Sequence, residues 1–367
     1  MEYFHIAMVI LWNISAAFLV WGTIYTIWRA QFAPSPVFNE HSAPPVSILK
    51  PLCGNDPQLF ENLESFLHID YPEYEVIFFL ADAKDPAFAV LIRLHQKYPE
   101  AGFRIVLSDS TIGPNPKVAN LDRAWSLAKY DVVLCSDSNV RADRNYLREA
   151  IPLLVDAPNT GIVTGFVQCF GAENFGGNLE EATWNTFYAR WVNIGRSFGV
   201  GFVIGKSMLF KRSVAARFGG LSAFAHHVAE DYMIGRAMNS LGKSVDVQHK
   251  GIPQFVGKRS LREYWQRALR WNLLQKYSAP VAFFGTPTQF PVVIGALTCS
   301  VRYAEVTLCL WLVMDMLLMT ALGGRPRPFT WMLSQILAPL IWVNALVKDH
   351  VVWRGNTMRI GKGGWLK

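Results

Sequence analysis

The hydrophobic and polar positions divide this chain into three regimes. Residues 6–28 form an uncharged, almost wholly apolar run, and a helix of about twenty such residues can span a bilayer. No A-x-A-like cleavage site comes after it, so the run reads as a retained anchor rather than a removed signal peptide. Trp12, Trp21, Tyr25 and Trp28 are candidates for an interfacial belt, and Arg29 at the exit is a positive-inside cue that places the next segment of the chain in the cytoplasm. Residues 33–45, rich in Pro, Ser and Asn, read as a linker.

The second regime alternates short apolar runs with helical patterns. Strands are predicted over 46–49, 75–80, 103–107 and 131–135, and helices over 57–67, 86–98 and 116–129. Asp56 and Asp85 precede prolines at the first helical position and are candidate caps. Apolar strands recurring about every 28 residues with helices between them indicate parallel βαβ units. The fold class is therefore α/β, an open Rossmann-like sheet whose crevice lies beyond the carboxyl ends of its strands. Further on, 161–169 reads as a strand and 179–191 as a helix with an aromatic face. Residues 195–210 read as a buried strand pair or an apolar acceptor path.

The third regime is membrane-like again. Residues 280–301, 304–322 and 329–347 are three apolar stretches near spanning length. The first carries Pro287 and Pro291 and fits an interfacial position. Glu305 and Asp315, at the edge of and within the second, are either functional or paired between helices. The tail carries Lys348, Arg354, Arg359, Lys362 and Lys367, which returns it to the cytoplasm and makes the number of spans after Trp271 even. The expected organisation is an anchor over 1–30, a linker over 31–45, a catalytic domain over 46–279, membrane-embedded or interfacial helices over 280–350, and a basic tail over 351–367.

Composition agrees with a membrane protein. Apolar residues make up 51% and charged residues 17% of the 367 positions, which is greasy for a soluble enzyme. The net charge of +7 favours an anionic surface. Because the basic residues flank apolar stretches, that surface reads as lipid and not nucleic acid. The five cysteines are an odd number without C-x-x-C spacing, so neither a disulfide framework nor a zinc site is expected.

The candidate chemistry sits at the strand ends. Asp82 and Asp85 follow one strand, Asp137 and Asn139 another, and Gly113-Pro114-Asn115-Pro116-Lys117 opens the helix between them. Group transfer from a nucleotide sugar needs positive charge on the leaving diphosphate, a carboxylate to take the acceptor proton, and a clamp for base and ribose. Asp137 is the candidate ligand of a divalent cation (Mn2+ or Mg2+), with Asn139 adding a carbonyl oxygen. Asp82 and Asp85 are candidates for ribose or base, and Lys117 and Asn120, near a helix start, for the anion. Asp231 is the candidate general base, with Glu230 beside it to tune its pKa or point away. Arg267 and Arg270 would grip phosphate in forked fashion, and Trp271 would wall the site. His226 and His227, just before the acid pair, could orient an acceptor, although a structural role fits them better.

These residues lie within a set of motifs that resembles the ceramide glucosyltransferase family. The set comprises Leu49-Lys50-Pro51-Leu52-Cys53-Gly54, Asp70-Tyr71-Pro72-Glu73-Tyr74-Glu75-Val76, Asp85-Pro86, Gly113 to Lys117, Asp137-Ser138, Ala229-Glu230-Asp231 and Arg267-x-x-Arg270-Trp271. They occur in the family's order across residues 46–271, with membrane segments on both sides. The resemblance implies a GT-A fold and inverting transfer from a UDP-sugar to a membrane lipid. It maps the family's three aspartates onto Asp85, Asp137 and Asp231, its Arg/Trp box onto Arg267, Arg270 and Trp271, and a further acid onto Asp82. Asn139 stands where many relatives carry a second metal-binding aspartate. Relatives that donate N-acetylglucosamine to hopanoids leave donor and acceptor open, and a bacterial inner membrane with the catalytic domain in the cytoplasm is the expected location. A processive polysaccharide synthase would need more spans and a differently placed Gln266. A membrane-anchored binding protein would not need all three acids.

Overall fold

The computed structural model describes residues 2–107, 112–353 and 356–366; Arg354 and Lys367 of the basic tail lie outside them. Four parallel strands form the first half of the main sheet: β1 (Val46–Pro51), β2 (Tyr74–Leu80), β3 (Phe103–Leu107) and β4 (Val132–Ser136). Three more complete it: β5 (Thr160–Thr164), β7 (Ser207–Lys211) and β8 (Ser244–Val247). The order is β3-β2-β1-β4-β7-β5-β8, with β7 antiparallel to both β4 and β5. The sheet is therefore mixed, where the spacing alone predicts parallel units. A GT-A-like α/β domain carrying apolar helices near both ends is the architecture.

The strands are continuous apolar runs because both faces are covered. Alternate residues separate cleanly: Ile48, Phe78 and Leu134 enter one core, and Leu49, Phe79 and Val133 the other. Each fully buried aliphatic or Phe side chain contributes roughly 1.5–3 kcal/mol. β1 connects toward β2 on one side and neighbours β4 on the other, so the strand order reverses between them, where α/β sheets open a crevice.

Three expectations change. Residues 161–169 are not one strand: the chain leaves the sheet after β5 and starts β6 (Val167–Ala172), which pairs in parallel with β9 (Ile252–Gly257) in a separate two-stranded sheet. Residues 195–210 hold a helix end, a loop and the single strand β7, not a strand pair. Asp56 does not cap the following helix, Leu59–Ser65, which starts at Gln58 without a side-chain cap. By contrast, Asp85 does cap the helix Pro86–Lys97, accepting from Ala87 N at 2.8 Å.

Among the described residues, three helices are long and apolar enough to cross a membrane: Tyr3–Gln31, Val301–Ala321 and Pro328–Val347. The first stretch after Trp271 is broken instead into Pro280–Gln289 and Pro291–Leu297, bent by 72°, as its prolines suggest. Arg29 is not a free flanking charge. It is buried and donates to Val247 O at 2.6 Å, docking the N-terminal helix onto the sheet domain. Asp315 is buried and paired between helices: Arg190 donates to it, and so does Trp331 Nε1 at 2.7 Å.

Candidate active site

Asp137 follows β4 directly. Because β7 runs antiparallel with Ser136 opposite Ser207, the residue before β7, Lys206, lies opposite Asp137. The backbone confirms the pairing, Asp137 N donating to Lys206 O at 3.3 Å. Lys206 Nζ reaches Asp137 Oδ2 at 3.2 Å and donates to Asn139 Oδ1 at 2.8 Å. Lys117, in the first turn of the helix Pro116–Leu127, approaches the other oxygen, Oδ1, at 3.0 Å. From below, the buried Lys50 of β1 donates to Asp137 O at 2.8 Å and to Ser136 Oγ at 3.2 Å. Burial alone would raise the Asp137 pKa, but Lys117 and Lys206 outweigh it and hold the carboxyl well below the usual carboxylate range. Burial pushes Lys50 well below its ordinary value and Lys206 down as well.

Lys117 joins this cluster to the second acid. Its ammonium lies 3.1 Å from Glu230 Oε1 and donates to Gly205 O at 2.9 Å. Gly205 N in turn donates to Asp231 Oδ2 at 2.8 Å, while Tyr232 N donates to Oδ1 at 2.8 Å. Burial opposes the charge on Lys117, but Asp137, Glu230 and Asp231 outweigh it and hold the ammonium above its ordinary range. Gly205 leaves both side chains their positions: a Cβ would stand 2.8 Å from Lys117 Nζ and 2.9 Å from Asp231 Oδ2. Asn115 fixes the other side, donating to Glu230 Oε2 at 3.1 Å and to His227 O at 2.8 Å, while its own Oδ1 caps the helix of Lys117. Glu230 therefore points into the site.

Asp231 opens the helix Glu230–Ser240, where the dipole favours a carboxylate. Burial and the neighbouring Glu230 nevertheless push its pKa up to about 6, against the pull of Lys117. A carboxyl at that value is ionised at neutral pH yet basic enough to take a proton.

The other predicted residues lie around this centre. Asp85 spends its carboxylate on backbone amides, accepting from Gly54 N at 2.9 Å as well as capping its helix. Asp82 is exposed and accepts from Lys84 N. No described hydrogen bond ties Asp82 or Asp85 to the Asp137 cluster. Asn120 is buried one turn beyond Lys117. Arg267 is held in a fork by the fully buried Glu180, with distances of 2.9 and 2.8 Å. Trp271 packs edge-on against Trp184 at 4.8 Å and Tyr188 at 5.8 Å, with the Arg267 guanidinium 5.5 Å over its ring. Arg270 is partly buried on the same helix, Leu261–Ser278.

Sequence reasoning gave no site role to Lys206, Lys50, Glu180 or Asp56, the last of which accepts from Ser138 Oγ at 2.5 Å. Only Lys50 carried a signal, a lone lysine ending an apolar strand. His226 and His227 are structural: Trp365 of the tail packs on their rings at 5.6 and 4.8 Å. That tail folds back after the last span, Leu366 N donating to His226 O and Val228 N to Gly364 O.

The chain is similar over nearly its whole length to known proteins. Ceramide glucosyltransferase 1 of Caenorhabditis elegans is 27% identical over 360 residues, covering 94% of this chain and 77% of that protein. A ceramide glucosyltransferase of Komagataella phaffii is 26% identical over 420 residues, covering 86% and 82%. Among solved structures, a mannosyltransferase of Pyrobaculum calidifontis, in complex with GDP-Man and Mn2+, superposes with a TM-score of 0.54 at 18% identity, covering 92% of this chain and 99% of that one. That likeness shows a shared fold. The sequence profile of glycosyl transferase family 21 matches residues 8–366, and the chain belongs to that family, a glycosyltransferase that acts on a lipid.

Proposed function

We propose that this protein transfers glucose from UDP-glucose to the hydroxyl of ceramide in a membrane, with inversion at the anomeric carbon. The observation that carries the reading is the single chain of contacts from Asp137 through Lys117 to Gly205 and Asp231. It gives one cleft both a cationic end and a base.

The acceptor oxygen attacks C1 of the sugar as the C1–O bond to the diphosphate breaks. UDP leaves with the bonding pair, and the acceptor proton passes to Asp231. Displacement from the side opposite the diphosphate yields the β-glycoside. Lys117 and Lys206 bring positive charge to the cleft, in which developing charge on the leaving oxygen is stabilised electrostatically. The Glu180 fork keeps Arg267 from swinging free, with Arg267, Arg270 and Trp271 closing the donor side; Lys117 and Asn120 face the anion, and Asp82 and Asp85 serve the ribose and base end.

Asp137 and Asn139 carry hard oxygen donors of the kind that suits Mn2+ or Mg2+ when substrate phosphates complete the shell, and a cation there would take those oxygens from Lys117 and Lys206. Among the described residues no group of three His, Cys, Asp or Glu side chains gathers to hold a metal, so protein ligands alone would be few. Such an ion would add charge neutralisation at the diphosphate. The short membrane part, with three candidate spans among the described residues or four if the bent pair counts as one, disfavours a polymer channel. The basic residues Lys348, Arg359 and Lys362 after the last helix support a cytoplasmic catalytic domain.

The test is product identification. Purified protein is incubated in lipid nanodiscs with ceramide and either UDP-glucose or UDP-N-acetylglucosamine. The expected result is a glucosylated ceramide by mass spectrometry; transfer of only N-acetylglucosamine, or to no ceramide, refutes the reading.

A further inference from the structure

The N-terminal helix Tyr3–Gln31 and the helix Val301–Ala321 run side by side in the same direction. Trp12 Nε1 donates to Thr307 Oγ1 at 2.6 Å toward one end, and Gln31 Nε2 donates to Ala321 O at 2.7 Å at the other. Arg29 ties that second end to the sheet domain, so Val301–Ala321 brings the chain back to the domain. The bent pair takes it the other way. It starts just after Leu261–Ser278 and ends with Gly295 against Ala304, where a Cβ would meet Ala304 Cα at 3.0 Å. After Trp271 the chain has therefore gone out and come back once before it reaches Pro328.

The helix Pro328–Val347 is held by the sheet domain at both ends. Before it, Gln168 Nε2 donates to Leu322 O at 2.7 Å, and Arg327 lies 3.6 Å from Glu181. In its first turn Phe329 packs on Phe175 with ring centroids 6.4 Å apart. At its last turn Lys276 Nζ donates to Ala345 O and Leu346 O at 2.8 Å and to Lys348 O at 3.0 Å, satisfying carbonyls that a helix end leaves open. Between its ends it lies along Leu261–Ser278: Ile341 shares a core with Tyr264 and Ala268, and Ala345 shares one with Leu273. That neighbour carries Arg262, Glu263, Arg267, Arg270 and Lys276, which keeps it out of hydrocarbon. A helix of 20 residues is about 30 Å long and crosses the hydrocarbon core only if one end leaves the domain side. Neither end does.

The free face of this helix is apolar from end to end. The exposed residues Phe329, Met332, Ile336, Leu340, Val343 and Val347 recur every three or four positions, which makes them one stripe. Thr330, Trp331, Ser334, Ile341 and Ala345 turn inward instead. No charged residue lies between Pro328 and Val347. A continuous apolar stripe of this length marks a contact surface. It adjoins the exposed apolar residues Val306, Val313 and Leu317 of Val301–Ala321, to which Trp331 binds through Asp315. The cover that continues from one helix to the other is lipid.

We propose that Pro328–Val347 does not cross the membrane but lies flat in the leaflet on the domain side, its stripe on the acyl chains and its inner face on the helix of Arg267 and Trp271. Packed helices stand about 8–10 Å apart, so the donor-side residues sit one helix away from lipid. The proposal is independent of which sugar or acceptor the protein uses. In the test, full-length protein has its exposed Cys53, Cys299 and Cys309 changed to serine. It carries one spin label at a time on Met332→Cys, Ile336→Cys, Leu340→Cys or Val343→Cys, in phosphatidylcholine nanodiscs, with an unchanged unfolding midpoint as the check of folding. Collisions with oxygen, which concentrates in the acyl chains, and with a water-soluble nickel chelate report the depth of each label. The four depths should agree within about 5 Å, at the shallow embedding of an interfacial helix. A crossing helix would set Met332 and Leu340 about 12 Å apart in depth, and that gradient overturns the proposal. Labels reached by neither agent and broadened by spin–spin coupling would show a second copy of the chain on the stripe, and overturn it too. A second readout leaves the stripe untouched. In sealed vesicles with the sheet domain outward, a membrane-impermeant maleimide should label Arg325→Cys and Lys362→Cys alike; protection of Lys362→Cys until detergent is added places the two ends of the helix on opposite sides and overturns the proposal.

Discussion

Gly205→Ala isolates the geometry of the reaction site from the stability of the fold. The backbone there does not need glycine for its torsion angles; the constraint is what a methyl would strike. The new Cβ would lie 2.8 Å from Lys117 Nζ and 2.9 Å from Asp231 Oδ2, and 3.3 Å from Asp231 Cβ. The first two atoms end flexible side chains and can retreat by about half an ångström to one ångström without moving the backbone, so the stability loss should stay near that of one strained hydrogen bond, about 0.5–1.5 kcal/mol. Catalysis does not share that tolerance. A displacement of about 1 Å at a reacting group costs on the order of 100-fold in rate, near 2.7 kcal/mol of barrier. The assay is kcat for glucosyl transfer to ceramide in nanodiscs, with thermal unfolding measured on the same sample. The expectation is kcat down about 100-fold with little change in Tm. A kcat within about threefold of wild type would show that Lys117 and Asp231 need not hold these positions.

Other consequences arise from the same contacts. With the Asp231 pKa near 6, the protonated acid cannot act as a base, so kcat/KM should climb with pH up to about 6 and level off above it; a profile flat from pH 5 to 8 contradicts the assignment. Glu180→Gln leaves Arg267 at most one bond of the fork and a partly buried guanidinium without its counter-charge, which should cost about 3 kcal/mol, seen as a lower unfolding midpoint, and should weaken UDP binding. Asp315→Asn breaks the buried pair with Arg190 between helices and should lower thermal stability by a similar amount, about 3 kcal/mol, while UDP affinity stays at the wild-type value.

What could be read from the sequence was what local pattern determines. β1 to β4 were readable because strands covered on both faces must be apolar throughout, and Asp85 because capping is a contact between near neighbours. Strand ends then carried Asp137 to the crevice by rule. Lys206 was hidden because its meeting with Asp137 depends on β7 running antiparallel to β4, a pairing between segments about 70 residues apart with no local marker. The same holds for Glu180, whose fork with Arg267 spans 87 residues, and for the return of Trp365 onto His227. The apparent strand over 161–169 misled because apolar character continues through Gly165 and Phe166 while the chain changes sheets. A Cβ at Gly165 would meet Ile252 at 2.8 Å, so the crossing needs a glycine there.

The most direct measurement is paired on one variant, Asp231→Asn: the rate of ceramide glucosylation and the affinity for UDP. An amide preserves the shape and can still accept from Gly205 N, but it cannot take a proton. Transfer should fall by at least about 100-fold, the lower end for loss of a general base, with UDP bound as tightly as by the wild type. Transfer at an undiminished rate would contradict the assignment of Asp231 as the base.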